Sequence, residues 1–237
     1  MATMAGSQVS GRFGTVAGGS GQATGGFAAL PLGGCDRRFN EDETMFLEDD
    51  PALDVYEVTE GVVRLCKLLP DGRRAIVGFL YPGELAGLSA GSQYSLTAEA
   101  VTPVTVRSCS RRTLDRAADG SPDVQRRLSA FLWRELEAAQ SRLVLLGRMS
   151  AVERVASFLM TLWLREHGTN SVHLPMSRLD IADYLGLTIE TVSRTLSQLR
   201  RQGIIALPNP HEVMLLRPAV LRALAGEGEA DPQPRAA

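Results

Sequence analysis

The sequence predicts an α+β chain: an N-terminal antiparallel β-roll, a long central helix that dimerises, and a C-terminal winged helix-turn-helix. Three observations carry this prediction. Between Phe39 and Arg116, short alternating runs such as Val55-Tyr-Glu-Val58 and Val62-Val-Arg-Leu-Cys-Lys-Leu-Leu69 are punctuated by Pro70-Asp-Gly72 and Tyr81-Pro-Gly83, the regular turn spacing of a small antiparallel roll. After Ser121, apolar residues fall on one stripe of a long helix. From Met176 to Gly203, two short amphipathic helices meet at Gly186.

In chain order, residues 1–30 are rich in Gly, Ser, Ala and Thr. They hold too few large apolar groups to offset the entropy of ordering and are expected to be a disordered tail. The roll is assigned to residues 31–118. Ser121-Pro-Asp123 starts the next helix, with Ser as N-cap and Pro in the first turn, and the helix is assigned to residues 119–149. Along it Leu132, Leu136, Ala139, Leu143 and Leu146 recur at spacings of 4, 3, 4 and 3, a coiled-coil seam suited to a homodimer. The alternative is a core helix packed within its own domain. Ser150-Ala-Val-Glu153 is a capping box for a helix through about Glu166, with Val152, Val155, Leu159 and Leu162 facing inward.

The helix-turn-helix lies within residues 150–217. Leu179, Ile181, Ala182 and Leu185 give the first helix its apolar side, Gly186 accepts a positive φ, and Thr188 is an N-cap for a helix starting at about Ile189. In that second helix Val192, Leu196 and Leu199 face inward, leaving Glu190, Ser193, Arg194 and Ser197 on the outer face. A carboxylate accepts from cytosine, an arginine bonds guanine or phosphate, and a serine serves either partner. Thr188, Thr191 and Arg178 join these as candidate contacts to double-stranded DNA. The bland alternative is a two-helix hairpin in which Glu190 and Arg194 merely support their own helix. Gly203 to Leu216 reads as two strands about a Pro208-Asn-Pro210 turn, a wing, and residues 218–237 are assigned to a flexible tail.

The run Asp180-Ile-Ala-Asp-Tyr-Leu-Gly-Leu-Thr-Ile-Glu-Thr-Val-Ser-Arg194 resembles the DNA-reading signature of the CRP/FNR superfamily of bacterial transcription regulators. Within it Glu190-Thr-Val-Ser-Arg194 has the E-x-x-S-R form of the FNR side, where cAMP receptor proteins usually carry Gly at the place of Ser193. Asp54 to Arg64, Lys67 to Arg74 and Phe79 to Gly87 are similar to the FixK branch, and the resemblance spans roughly residues 36 to 217. It implies a cyclic-nucleotide-binding-like jelly roll, a TTGA-type palindrome bound by a homodimer, activation through RNA polymerase, and target genes of low-oxygen respiration or nitrogen fixation.

The same resemblance bears on what the roll senses. Nucleotide pockets of the superfamily use Gly-Glu for the ribose, Arg-Ser for the phosphate and Thr-Ser on the central helix for the base. Here Leu88 follows Gly87, Tyr94 precedes Ser95, and Ala139-Gln140 stands near the Thr-Ser position, so no cyclic nucleotide is expected. An iron–sulfur cluster needs four thiolates, and the chain has Cys35, Cys66 and Cys109. Cys66 and Cys109 read as small buried hydrophobes; Cys35, beside the Gly-rich segment, is the oxidisable candidate. Some FixK-like proteins place a cysteine where this chain has Ser177, which cannot serve as a thiol switch. His167, His173 and His211 lie outside the roll, so a haem is not expected. No cofactor and no metal are therefore assigned.

Composition narrows the field without deciding it. In 237 residues there are 25 Lys plus Arg and 27 Asp plus Glu, a net charge of −2, so nucleic-acid affinity must come from placed contacts rather than bulk charge. No apolar run approaches the ~20 residues of a membrane span, and a cytoplasmic location is expected. No nucleotide-cradling loop, paired metal histidines or nucleophile elbow is present, so no enzyme is expected. Two alternatives stand beside the effector-independent activator: a regulator gated by an unidentified small ligand, and a cyclic-nucleotide-type regulatory module.

Overall fold

The computed structural model describes residues 34–226. The segment expected to be a disordered tail, residues 1–30, lies outside them. Eight strands form the roll: β1 (Cys35–Phe39), β2 (Thr44–Phe46), β3 (Asp54–Glu60), β4 (Val63–Leu68), β5 (Arg74–Leu80), β6 (Leu85–Ala86), β7 (Thr97–Ala100) and β8 (Val104–Ser110). They make two antiparallel sheets, ordered β1-β8-β3-β6 and β2-β7-β4-β5. Alternation along the strands sends Val104 and Val106 of β8 and Val63 of β4 into a core shared with Phe46, Tyr56 and Tyr94. Phe46 stacks on Tyr94 with ring centroids 3.9 Å apart and on Tyr56 at 5.6 Å.

The strand pattern read as far as Arg116 ends sooner, because α1 (Arg111–Gly120) begins directly after β8. Ser110 caps it by accepting from the Thr113 N–H. Only Leu114 of α1 is buried, and a single apolar anchor leaves no helical period to read.

The long helix α2 runs Pro122–Arg148. Ser121 stands at its N-cap with Pro122 in the first turn, but the Ser121 side chain makes no capping hydrogen bond. One face of α2 buries Val124 and Phe131 against Val55, Leu85 and Leu114 of the roll. The other carries Leu132, Leu136, Leu143 and Leu146, which remain 51%, 46%, 74% and 36% exposed; Ala139 is exposed beside them. The side chains of this stripe are thus only partly covered by their own chain. Trp133 and Val144 extend the exposed apolar surface.

The C-terminal unit comprises α3 (Ala151–Arg165), β9 (Ser171–His173), α4 (Arg178–Leu185), α5 (Ile189–Arg201), β10 (Ile205–Asn209), β11 (Glu212–Leu215) and α6 (Pro218–Leu224). The Ser150/Glu153 capping box forms as read, and Val155, Leu159 and Leu162 are buried, while Val152 is half-buried. The wing sheet has a third strand, in the order β10-β11-β9; three residues are too few to declare a period. Asn209 pairs with Glu212, so the turn is Pro210-His211 rather than Pro208-Asn-Pro210.

The flexible tail assigned from residue 218 is a correction. Pro218 opens α6, which buries Leu221 completely and packs on α3, while residues 227–237 lie outside the described residues. Seven helical residues with one anchor again carry too short a pattern to read. One buried apolar cluster runs from Val62, Ile76 and Phe79 of the roll into Phe158, Leu159 and Ile181 of the C-terminal unit, so the two parts share a core.

Candidate nucleic-acid interface

Local sequence fixes where α4 stops and α5 begins. Ser177 caps α4 by accepting from the Asp180 N–H, and the Asp180 carboxylate returns a bond to the Ser177 N–H, a reciprocal capping box. Gly186 ends α4 in the left-handed conformation (φ 60°, ψ 42°) and donates its N–H to the Ala182 carbonyl. That conformation strains any residue with a Cβ. Two residues on, Thr188 caps α5 by accepting from the Thr191 N–H at 3.3 Å. Val192, Leu196 and Leu199 are buried beneath the helix, and Thr195 joins them. Leu179, read as part of the buried side of α4, is 51% exposed. Ile181, Ala182 and Leu185 alone provide that helix's apolar anchor, because the helix turns its second position outward beside the wing.

The outer face of α5 carries Glu190, Ser193 and Arg194 fully exposed, flanked by exposed Thr188 and half-buried Thr191 and Ser197. Its own backbone N–H and the Thr188 hydroxyl, with Arg194 adding a smaller field, hold the Glu190 carboxyl below the usual range. Glu190 is thus an acceptor at neutral pH. Among the described residues Glu190 and Arg194 form no direct ion pair with each other, although the Arg194 charge still favours the Glu190 carboxylate. Arg178 is different. Its Nη2 donates to the Pro210 carbonyl at 3.1 Å and burial lowers the pKa of its guanidinium, so it ties α4 to the tip of the wing. His211, in the wing turn, has Nδ1 3.1 Å from the carbonyl of Leu174, just after β9.

Several residues that position this unit escaped the sequence reading. Arg154 of α3 donates to the Leu146 and Met149 carbonyls at the end of α2 and to the Leu185 carbonyl at the end of α4. It satisfies helix-terminal acceptors that would otherwise lack partners. Tyr184 of α4 lies against Phe79 and Phe158, with Arg142 of α2 stacked 4.5 Å from its ring centroid and donating to its hydroxyl. Asp180 bonds arginines of the roll. Charged residues separated by tens to more than a hundred positions carry no local signal of pairing.

Two family models match the chain: a Crp-like helix-turn-helix domain over residues 153–224 and a cyclic nucleotide-binding domain over residues 36–120. The nitrogen fixation regulation protein FixK of Bradyrhizobium diazoefficiens is 46% identical over 191 residues, covering 79% of this chain and 80% of that protein. The chain belongs to the CRP/FNR family, on its FixK-like branch. The transcriptional activatory protein AadR of Rhodopseudomonas palustris is 45% identical over 192 residues, with 79% and 80% covered. The solved structure of FixK2 from Bradyrhizobium japonicum superposes with a TM-score of 0.78 at 43% identity, covering 81% of this chain and 97% of that one. As a member of this family the chain is a DNA-binding transcription regulator and not an enzyme.

The cyclic nucleotide that the family's effector domain takes its name from does not fit the residues present. Tyr94, at the place where the phosphate-binding arginine belongs, is buried in the centre of the roll, stacked on Phe46 and donating its hydroxyl to the Asp54 carbonyl at 2.9 Å. At Gly87 an added Cβ would lie 2.9 Å from the Asp54 carbonyl oxygen and 3.1 Å from the Tyr94 ring. An aromatic ring thus stands where that pocket has its arginine, and the Arg37 guanidinium beside the stack is held over the Phe39 and Tyr56 rings. Cys66 lies buried in β4, where burial pushes its thiol up to about 11; the Cys109 thiol is likewise raised by burial, and Cys35 is exposed on β1. Among the described residues no cluster of His, Cys, Asp and Glu is arranged for a metal, and no helix is long and apolar enough to cross a membrane.

Proposed function

We propose that this regulator is a cytoplasmic homodimeric activator that reads a TTGA-type palindrome with Glu190, Ser193 and Arg194 of α5. The observation that carries the reading is the α5 face itself. A carboxylate and a guanidinium stand one turn apart, exposed and unpaired with each other, on a helix whose opposite side is locked into a shared core. Thr188, Thr191 and Ser197 flank them within reach of backbone phosphates, and Arg178 acts through the wing it holds. Glu190 accepts from cytosine N4 and Arg194 bonds guanine O6 and N7, so each half-site is specified by a few placed bonds rather than by net charge.

The exposed stripe Leu132, Leu136, Ala139, Leu143 and Leu146 supports a two-chain seam, which brings two recognition helices to half-sites about one helical turn apart. The relatives named nitrogen fixation regulation protein FixK support target genes of nitrogen fixation, and we extend this to low-oxygen respiration genes and to activation through RNA polymerase. Tyr94, buried and stacked on Phe46 in place of an arginine, supports activity without a nucleotide effector. Selection of bound duplexes from a random-sequence library by the untreated protein tests the reading. Enrichment of a TTGA-type palindrome is expected, and enrichment of an unrelated or asymmetric sequence would overturn it.

A further inference from the structure

Asp180 is 4% exposed although it begins an exposed reading unit, and each of its carboxylate oxygens has a separate task. Oδ2 accepts from the Ser177 N–H and hydroxyl and so starts α4. Oδ1 faces the roll, accepting from Arg74 Nη2 of β5 at 2.6 Å with Arg64 Nη1 of β4 at 3.5 Å. Arg74 also reaches Asp183, one turn further along α4, at 3.2 Å. Glu99 of β7 holds both arginines from behind, 2.7 Å from Arg64 Nε and 3.6 Å from Arg74 Nη1. The cluster therefore spans three strands of the roll and the first helix of the helix-turn-helix.

Ion pairs taken out of water add little net stability compared with apolar packing of the same volume, because desolvation offsets the attraction. Their bonds are directional, however, and an arginine that reaches two carboxylates at once, as Arg74 does with Asp180 and Asp183, fixes orientation as well as distance. We infer that the Arg64/Arg74–Asp180/Asp183 cluster is the joint that sets the angle of the recognition unit on the roll, making Arg74, Asp180 and Asp183 positioning residues for reading two half-sites at one spacing. The inference rests on the proposed dimeric reading of a palindrome. Two linked recognition helices gain affinity only if the joint holds them at the distance of the two half-sites. A loosened joint leaves each helix intact and removes that gain.

The test measures affinity for a single half-site, for the palindrome, and for palindromes whose half-sites are moved apart or together by one or two base pairs. Wild-type protein should prefer the palindrome and lose affinity steeply as the spacing changes. Arg74→Ala should bind the half-site as wild type does, bind the palindrome roughly tenfold more weakly, and show a flattened dependence on spacing. Asp183→Asn, which leaves the Asp180 cap untouched, should shift both readouts in the same direction by less, and it decides the matter if Arg74→Ala does not fold. Wild-type steepness in both variants, or equal loss on half-site and palindrome, would overturn the joint. A wild-type protein that shows no preference for the palindrome would instead overturn the dimeric reading, and this inference with it.

Discussion

Replacing Leu136 and Leu143 together by Asp separates a seam between two chains from one within a single chain. Both residues are largely exposed in the isolated chain, at 46% and 74%, so the substitutions remove little packing from the fold and the protomer should stay folded. In a dimer each of these leucines would lose its remaining exposure. At about 25 cal/mol per Å² that is worth about 1 to 2 kcal/mol per side chain. Four such side chains meet across a two-fold seam, so their loss costs about 4 to 8 kcal/mol, roughly a thousand- to a million-fold in the dimer dissociation constant. Carboxylates brought into the seam raise the cost further. Sedimentation equilibrium should find wild type dimeric and the double variant a folded monomer with an unchanged circular dichroism spectrum, and a shift assay should find palindrome binding lost. A folded double variant that stays dimeric would show that the chains associate elsewhere.

Three further outcomes follow from the same geometry. Adding cAMP to the untreated protein should leave its DNA affinity unchanged in a titration, because buried Tyr94 stands in place of a phosphate-binding arginine; strict dependence on cAMP would contradict this. Native protein at pH 8 should be alkylated at exposed Cys35 first and at Cys66 only on unfolding, since the Cys66 thiol is buried and its pKa is raised from 9.0 to about 11. The folded state holds that proton more tightly than the unfolded chain, so the thiol's contribution to stability is full below pH 9 and fades as pH rises towards 11. Leu221→Ala should cost about 2 to 5 kcal/mol in a denaturant titration, because Leu221 seats α6 fully buried on α3; a change near zero would mean that α6 is dispensable.

The helix-turn-helix was legible because its instructions are local. Gly186 takes the left-handed turn, Thr188 caps the next helix, and Val192, Leu196 and Leu199 repeat at the helical period, so each signal lies within a few residues of the element it shapes. The α2 stripe is local in the same way, with Leu132, Leu136, Ala139, Leu143 and Leu146 spaced by 4, 3, 4 and 3 along one helix. Short elements with one buried anchor were missed, as with α1 around Leu114 and α6 around Leu221. For Arg178, charge alone does not show whether a guanidinium is free or holds a partner within the chain, here the Pro210 carbonyl. Arg74 and Asp180 lie 106 positions apart. Their pairing depends on how the roll meets α4, which only the assembled core determines.

The central claim is that the outer face of α5 reads base edges, and the affinities of Glu190→Ala and Arg194→Ala for a TTGA-type palindrome and for a scrambled duplex test it most directly. Both side chains are exposed and neither supports the fold through an ion pair with the other, so the variants should unfold as wild type does. Each should lose about 1 to 3 kcal/mol on the palindrome while binding to the scrambled duplex stays nearly the same, so that discrimination between the two falls by about five- to 150-fold. Discrimination equal to wild type in both variants would contradict the account.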